Sequence, residues 1–198
     1  LNIFNVDEIE NRLKERFSLL RSRNKDTQAL QGALDWSWDL LKPWEKAALS
    51  QACVFHGGFE IKAAESVLDC GNWNEIPPVF DVLQDLCDDS LLFQYQVDGE
   101  IRFDILESIR QYAYEKLQSI DGVEKGLSGP NVVMETQHRH AIHYSKFGEE
   151  SFLKILDSSE REKFGQFFEE LENFTIGVEY DQGEFGAKCC LAALRILG

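Results

Sequence analysis

His138, His140 and His143 fall within six residues of one another, a grouping that could hold a metal ion. Only His140 and His143, three apart, share a helix face, and no cysteine or carboxylate completes a ligand set, so these read as surface or packing histidines. His56 with Cys53 or Cys87 could in principle form a base and a thiol nucleophile, but that chemistry needs a third, orienting group. Because His56 adjoins Gly57-Gly58, it is assigned to a helix end or to packing against a neighbouring hairpin. Trp36, Trp38 and Trp44 could stack on a ligand. Tryptophans at i and i+2 point to different sides of a helix, however, and read as core and interface anchors. Glu107 and Arg110 can pair along one helix face, a contact worth at most about 1 kcal/mol if exposed. Arg12, Lys14, Arg16, Arg21, Arg23 and Lys25 make the one basic run, either a solvated helix face or a docking surface.

The whole chain is acidic. Its 198 residues carry 20 Lys and Arg against 35 Asp and Glu, a net charge of -15, with 43% hydrophobic residues. That composition supports a packed core, while the summed field repels phosphate backbones and anionic lipids. Nucleic acid is therefore an unexpected partner. No apolar run approaches the roughly 20 residues that span a bilayer. Five cysteines, an odd number without C-x-x-C spacing, read as reduced thiols and a cytoplasmic setting. Leu1 and the residues after it do not look like a natural start.

Apolar spacing then supplies the elements. Asn5 caps an expected helix to about Leu20, and a longer helix runs from Asp26 or Thr27 through Leu30, Leu34, Trp38 and Leu41. Pro43 suits the first turn of the next helix, 44–54, which Gly57-Gly58 ends. Helices follow over 60–68 and 78–89. The period changes at 91–97 and 100–104, two strands flanking Asp98-Gly99, the dipeptide of a tight hairpin turn. A helix over 106–117 closes this group, and 121–130 reads as a linker. Helices over 132–147, 160–180 and 185–197 are expected, with breaks near Gly148 and Gly183.

Three helices, a hairpin and a closing helix describe a winged helix, with 78–89 in the recognition position and Asp98-Gly99 at the wing tip. A DNA-reading version presents Arg, Lys, Asn or Gln to bases and cations to phosphates. Residues 74–91 instead contain Glu75, Asp81, Asp85, Asp88 and Asp89 and no Lys or Arg, so the composition argues against DNA.

Several motifs fall in a familiar order: Leu34-Asp35-Trp36-Ser37-Trp38-Asp39-Leu40-Leu41-Lys42-Pro43, then Val54-Phe55-His56-Gly57-Gly58-Phe59 with Ala63-Ala64-Glu65. Leu86-Cys87-Asp88-Asp89-Ser90-Leu91-Leu92 follows, and Arg102-Phe103 precedes Leu106-Glu107-Ser108-Ile109-Arg110-Gln111-Tyr112-Ala113. Together they resemble the winged-helix region of bacterial STAND ATPases, relatives of NB-ARC switch proteins. The resemblance implies a mainly α fold divided into the tail of a small helical domain (1–26), a winged helix (27–120), a linker (121–130) and the start of a TPR-like α-α superhelical array (131–198) that continues past Gly198. It also implies a non-catalytic regulatory segment that packs on a nucleotide-binding domain of the same polypeptide and senses a protein partner or signal. ATP or ADP and Mg would belong to the parent protein, with no cofactor in this segment, which lacks a G-x-x-x-x-G-K-[ST] loop. Where the relatives carry a Met-His-Asp phosphate sensor, an ungapped match places Ile105, Leu106 and Glu107. Glu107, Arg110, Trp36, Trp38 and His56 are then the candidate regulatory interface. The alternative function is a DNA-binding winged-helix transcriptional regulator.

Overall fold

A computed structural model describes residues 25–71, 73, 75–156 and 164–197. The expected helix from Asn5 to Leu20 and the basic side chains from Arg12 to Lys25 lie outside the residues or side chains described. The chain divides into two compact units, one ending at Leu41 and one beginning at Lys42. In the first, helix α1 (Lys25–Leu40) buries Leu34 and Trp38, with Leu41 just beyond it, at helical spacing, and exposes Leu30, Trp36 and Leu40.

The second unit opens with α2 (Pro43–Ala52). Lys42 is its N-cap, Pro43 occupies a first-turn position without a missing partner, and the Glu45 carboxylate accepts from the Lys42 backbone N–H at 2.8 Å. A two-residue strand β1 (Phe59–Glu60), α3 (Ile61–Val67) and α4 (Val79–Asp88) follow. α4 buries Val82, Leu83 and Leu86, and beyond its end Ser90, with a φ of 60°, lets Leu91 and Leu92 donate back to the Leu86 carbonyl. Strands β2 (Phe93–Val97) and β3 (Glu100–Asp104) form the hairpin, and α5 (Glu107–Gln118) packs on α2. Asp98 and Gly99, with φ of 51° and 88°, make a turn in which both central residues are left-handed, which matches the twist of the strands.

The sheet has three strands in the order β1-β3-β2, all antiparallel. β1 escapes sequence reading because two residues carry no period; its register pairs Phe59 with Phe103 and Glu60 with Arg102. Three helices, a small sheet and a closing helix are compatible with a winged-helix-like fold.

Residues 121–130, which include a 3-10 turn (Glu124–Gly126), lead within the same compact unit to α6 (Pro130–Leu156). Next come α7 (Phe164–Glu169), α8 (Leu171–Tyr180) and α9 (Glu184–Leu197). α6 packs on α3 and α5 as well as on α8 and α9. It continues through Gly148, where a break was expected. A side chain there would come within 2.7 Å of Ala192 Cβ and 3.2 Å of the Phe174 ring, so this glycine serves close helix packing. The expected helix over 160–180 is interrupted at Glu170, between α7 and α8. Helices of 27, 6, 10 and 14 residues do not display a TPR-like repeat. Among the described residues no helix is long and apolar enough to cross a membrane.

Candidate functional site

The face a winged helix offers to a partner is the outer side of α4 together with the hairpin. Burial of Val82, Leu83 and Leu86 turns Asp81, Gln84, Asp85 and Asp88 outward. Gln84 Nε2 donates to Asp88 Oδ1 at 3.4 Å, close to the limit for such a bond. Lys42 Nζ approaches Asp85 Oδ2 at 3.1 Å, but the same ammonium sits 2.6 Å from Glu45 Oε1. Its hydrogen bonds to Glu45 and Asp85 raise its pKa, so it stays charged and engaged. On the hairpin Gln94 and Gln96 are exposed, and 42% of Phe93 is accessible.

Behind the hairpin lies a polar seam that sequence reading missed. Arg102 on β3 is 2% exposed; its Nη1 donates to Glu170 Oε1 at 2.5 Å, and its Nη2 donates to the Gly58 and Gly57 carbonyls at 3.1 and 3.3 Å. Asn173 on α8 donates to the Gly58 carbonyl and to Glu170, both at 2.8 Å, and its Oδ1 accepts from the His56 backbone N–H at 2.9 Å. His140 Nε2 lies 3.2 Å from the same oxygen. The Gly57-Gly58 turn, with φ of 72° and 81°, exposes the carbonyls that make this seam possible. By strand alternation Arg102 falls on the same face as Glu100 and Asp104, so the sequence carried no signal of its burial.

The five interface candidates are not one constellation. Trp36 and Trp38 belong to the first unit, Trp36 68% exposed and Trp38 buried. In the second unit Arg110 points inward. Its guanidinium donates to Asp104 Oδ1 at 3.1 Å, Glu107 Oε2 at 3.2 Å and the Ile105 carbonyl at 3.3 Å, while the Glu107 side chain is 83% exposed. Arg110 thus ties the end of the hairpin to α5. His56 is half-buried, and burial followed by the Arg110 charge lowers its pKa to about 4.

The clustered histidines diverge. His138 faces Asp181 at 3.1 Å, His140 is fully buried against Asn173, and His143 packs on Tyr144 and Phe147. The cysteines are free thiols, with burial raising Cys53 to about 12 and Cys87 to about 11. No group of three or more His, Cys, Asp or Glu among the described residues could hold a metal ion.

Comparison with known proteins bears on the class. No protein-family model matches the chain, and no solved structure matches it. Proteins of Mycobacterium bovis and Mycobacterium tuberculosis named as candidate HTH-type transcriptional regulators are each 34% identical to it over 114 residues, 56% of this chain. An uncharacterised Mycobacterium tuberculosis protein is 30% identical over 133 residues, 62% of this chain and 34% of that protein. The chain spans 13% of the length of the named regulators.

These relatives overturn the STAND-ATPase reading. Their names point to transcriptional regulators, not to nucleotide-driven signalling proteins, and with it fall the regulatory-segment function, the nucleotide-binding domain as partner and the exclusion of nucleic acid. The physical reason lies in where the motifs sit. Val54, Phe55, Phe59, Ala63, Ala64, Leu86, Leu91, Leu92, Phe103, Tyr112 and Ala113 are all buried. Their spacing reports the packing of a fold, which different functions share.

Proposed function

We propose that this chain is a winged-helix-like segment of a helix-turn-helix class transcriptional regulator whose partner is double-stranded DNA. The observation that carries the proposal is the order of elements from α2 to α5 around a three-stranded sheet, in a chain 34% identical over 114 residues to proteins named as such regulators. α4 is the element placed to enter a major groove. Gln84 can pair with an adenine edge and the outward aspartates can accept from cytosine amino groups. With Lys42 engaged by Glu45 and Asp85, and a net charge of -15, few phosphates would be neutralised, so base-edge contacts would supply most of the binding.

The segment is read as non-catalytic. Its sequence has no phosphate-binding loop, and thiols raised by burial to about 12 at Cys53 and about 11 at Cys70 and Cys87 are poor nucleophiles at neutral pH.

Selection from a randomised duplex pool tests the reading. An enriched sequence whose recovery is lost with Gln84→Ala is expected; a pool that stays random through repeated rounds would refute DNA reading by this unit.

A further inference from the structure

The sheet order β1-β3-β2 leaves each outer strand with one open edge, and the two edges differ. β1 is two residues long and runs straight into α3 at Ile61, so it offers little to pair with. β2 offers five residues, Phe93–Val97, and β3 is the only described element with which it makes extensive contact. The two-residue turn at Asp98-Gly99 fixes which main-chain groups are open. Val97 and Glu100 close that turn, so the N–H and C=O groups of Phe93, Tyr95 and Val97 face β3 and those of Gln94 and Gln96 face outward. Among the described residues no main-chain hydrogen bond is made to these outward groups.

Natural edge strands are kept from pairing by charged side chains, proline or bulges. β2 has none of these: residues 91–97 read Leu-Leu-Phe-Gln-Tyr-Gln-Val in a chain that carries 35 Asp and Glu, and the register with β3 is unbroken. The run is also self-complementary. Turned antiparallel about Tyr95, it sets Tyr95 against Tyr95 of a second copy, Gln94 against Gln96 of that copy, and Phe93 against its Val97. Outward groups then meet outward groups, with two main-chain hydrogen bonds at each Gln94–Gln96 pair. A slip of two residues either way sets a glutamine against Leu92, whose N–H is already given to Leu86, or against Asp98 in the turn. Across the dyad amide meets amide and aromatic meets aromatic, and no charge faces a like charge. Phe93, 42% exposed with its ring 6.2 Å from that of Tyr95, gains cover from Val97 of the second copy.

We propose that two copies of this chain associate by pairing β2 with β2, antiparallel about Tyr95, which joins their three-stranded sheets into one. The same edge is used on both copies, so assembly closes at a dimer. The strand is short and the contact weak, and the net charge of -15 on each copy opposes it, so the dimer tightens as salt rises. The proposal stands apart from DNA reading, because association is measured without DNA.

Sedimentation equilibrium of the 198-residue chain over a concentration series is the test. The average mass should rise toward twice that of one chain and no further. Gln94→Lys with Gln96→Lys, both exposed positions, sets like charges opposite each other at both glutamine pairs. It should weaken association about fivefold or more, even though it lowers the net negative charge. Gln94→Glu with Gln96→Lys leaves the net charge unchanged, sets opposite charges face to face, and should hold the dimer within about threefold of wild type or tighter. A wild-type chain that stays monomeric up to millimolar concentration, assembly beyond two copies, a dimer unmoved by the double lysine, or equal loss in both double variants would overturn the proposal.

Discussion

Arg102 and Glu170, 68 residues apart, meet as a buried pair, with 2% and 3% of their side chains exposed. The contact fastens strand β3 to the junction of α7 and α8. Removing one member of a buried pair strands the other charge, which typically costs about 3–5 kcal/mol. Arg102→Met is expected to lower unfolding stability by that amount in urea, and Glu170→Gln by less, because the amide oxygen still accepts. A double-mutant cycle should give a coupling above about 1 kcal/mol. Additive effects would show that the pair does not act as one.

Three histidines should make the fold acid-sensitive. Burial lowers His140 to about 3 and His56 and His143 to about 4, below the ordinary 6.5; Arg110 adds to the effect at His56 and Lys146 at His143. The unfolded chain therefore takes up protons first as pH falls, so the stabilisation is complete above about 6.5 and lost progressively toward the folded values. Glu60, raised mainly by burial and the Glu170 charge, works in the opposite sense at the acidic end. The urea midpoint should drop between pH 7 and about pH 5, and His140→Gln should flatten that drop. A midpoint constant over the range would contradict this assignment.

Gly58 sits where the hairpin meets the helices. At φ of 81°, an added Cβ would lie 2.5 Å from Tyr95 Oη and 3.2 Å from the Phe103 carbonyl. Gly99 has a similar φ of 88° but nothing within 4 Å. Both alanine substitutions carry backbone strain of about 1 kcal/mol, and only Gly58→Ala adds a clash, so it should be the more destabilising by about 1–2 kcal/mol. Thermal unfolding of the two variants checks the difference; equal losses would assign the whole effect to backbone strain.

Local chemistry made part of this fold readable. Asp98-Gly99 announced the hairpin because few dipeptides accept two left-handed residues, and Pro43 marked the start of α2. Gly148 misled because a glycine that permits close packing looks in sequence like one that ends a helix. Phe59–Glu60 and the Arg102–Glu170 seam owe their structure to partners far along the chain, which periodicity does not record. Arg110 was visible as a possible partner of exposed Glu107, but not as a buried tie to Asp104 and Ile105. Function was misread for a related reason: the motifs that suggested a nucleotide switch are largely core positions, and cores are shared among functions.

DNA binding by the winged-helix-like unit is the central claim, and fluorescence anisotropy of an enriched duplex across a salt series tests it most directly. Saturable binding that is lost with Gln84→Ala is predicted, with a log–log salt slope shallower than about -3 because few phosphates are neutralised. No saturable binding at low salt, or binding indifferent to Gln84→Ala and steeply salt-dependent, would contradict it.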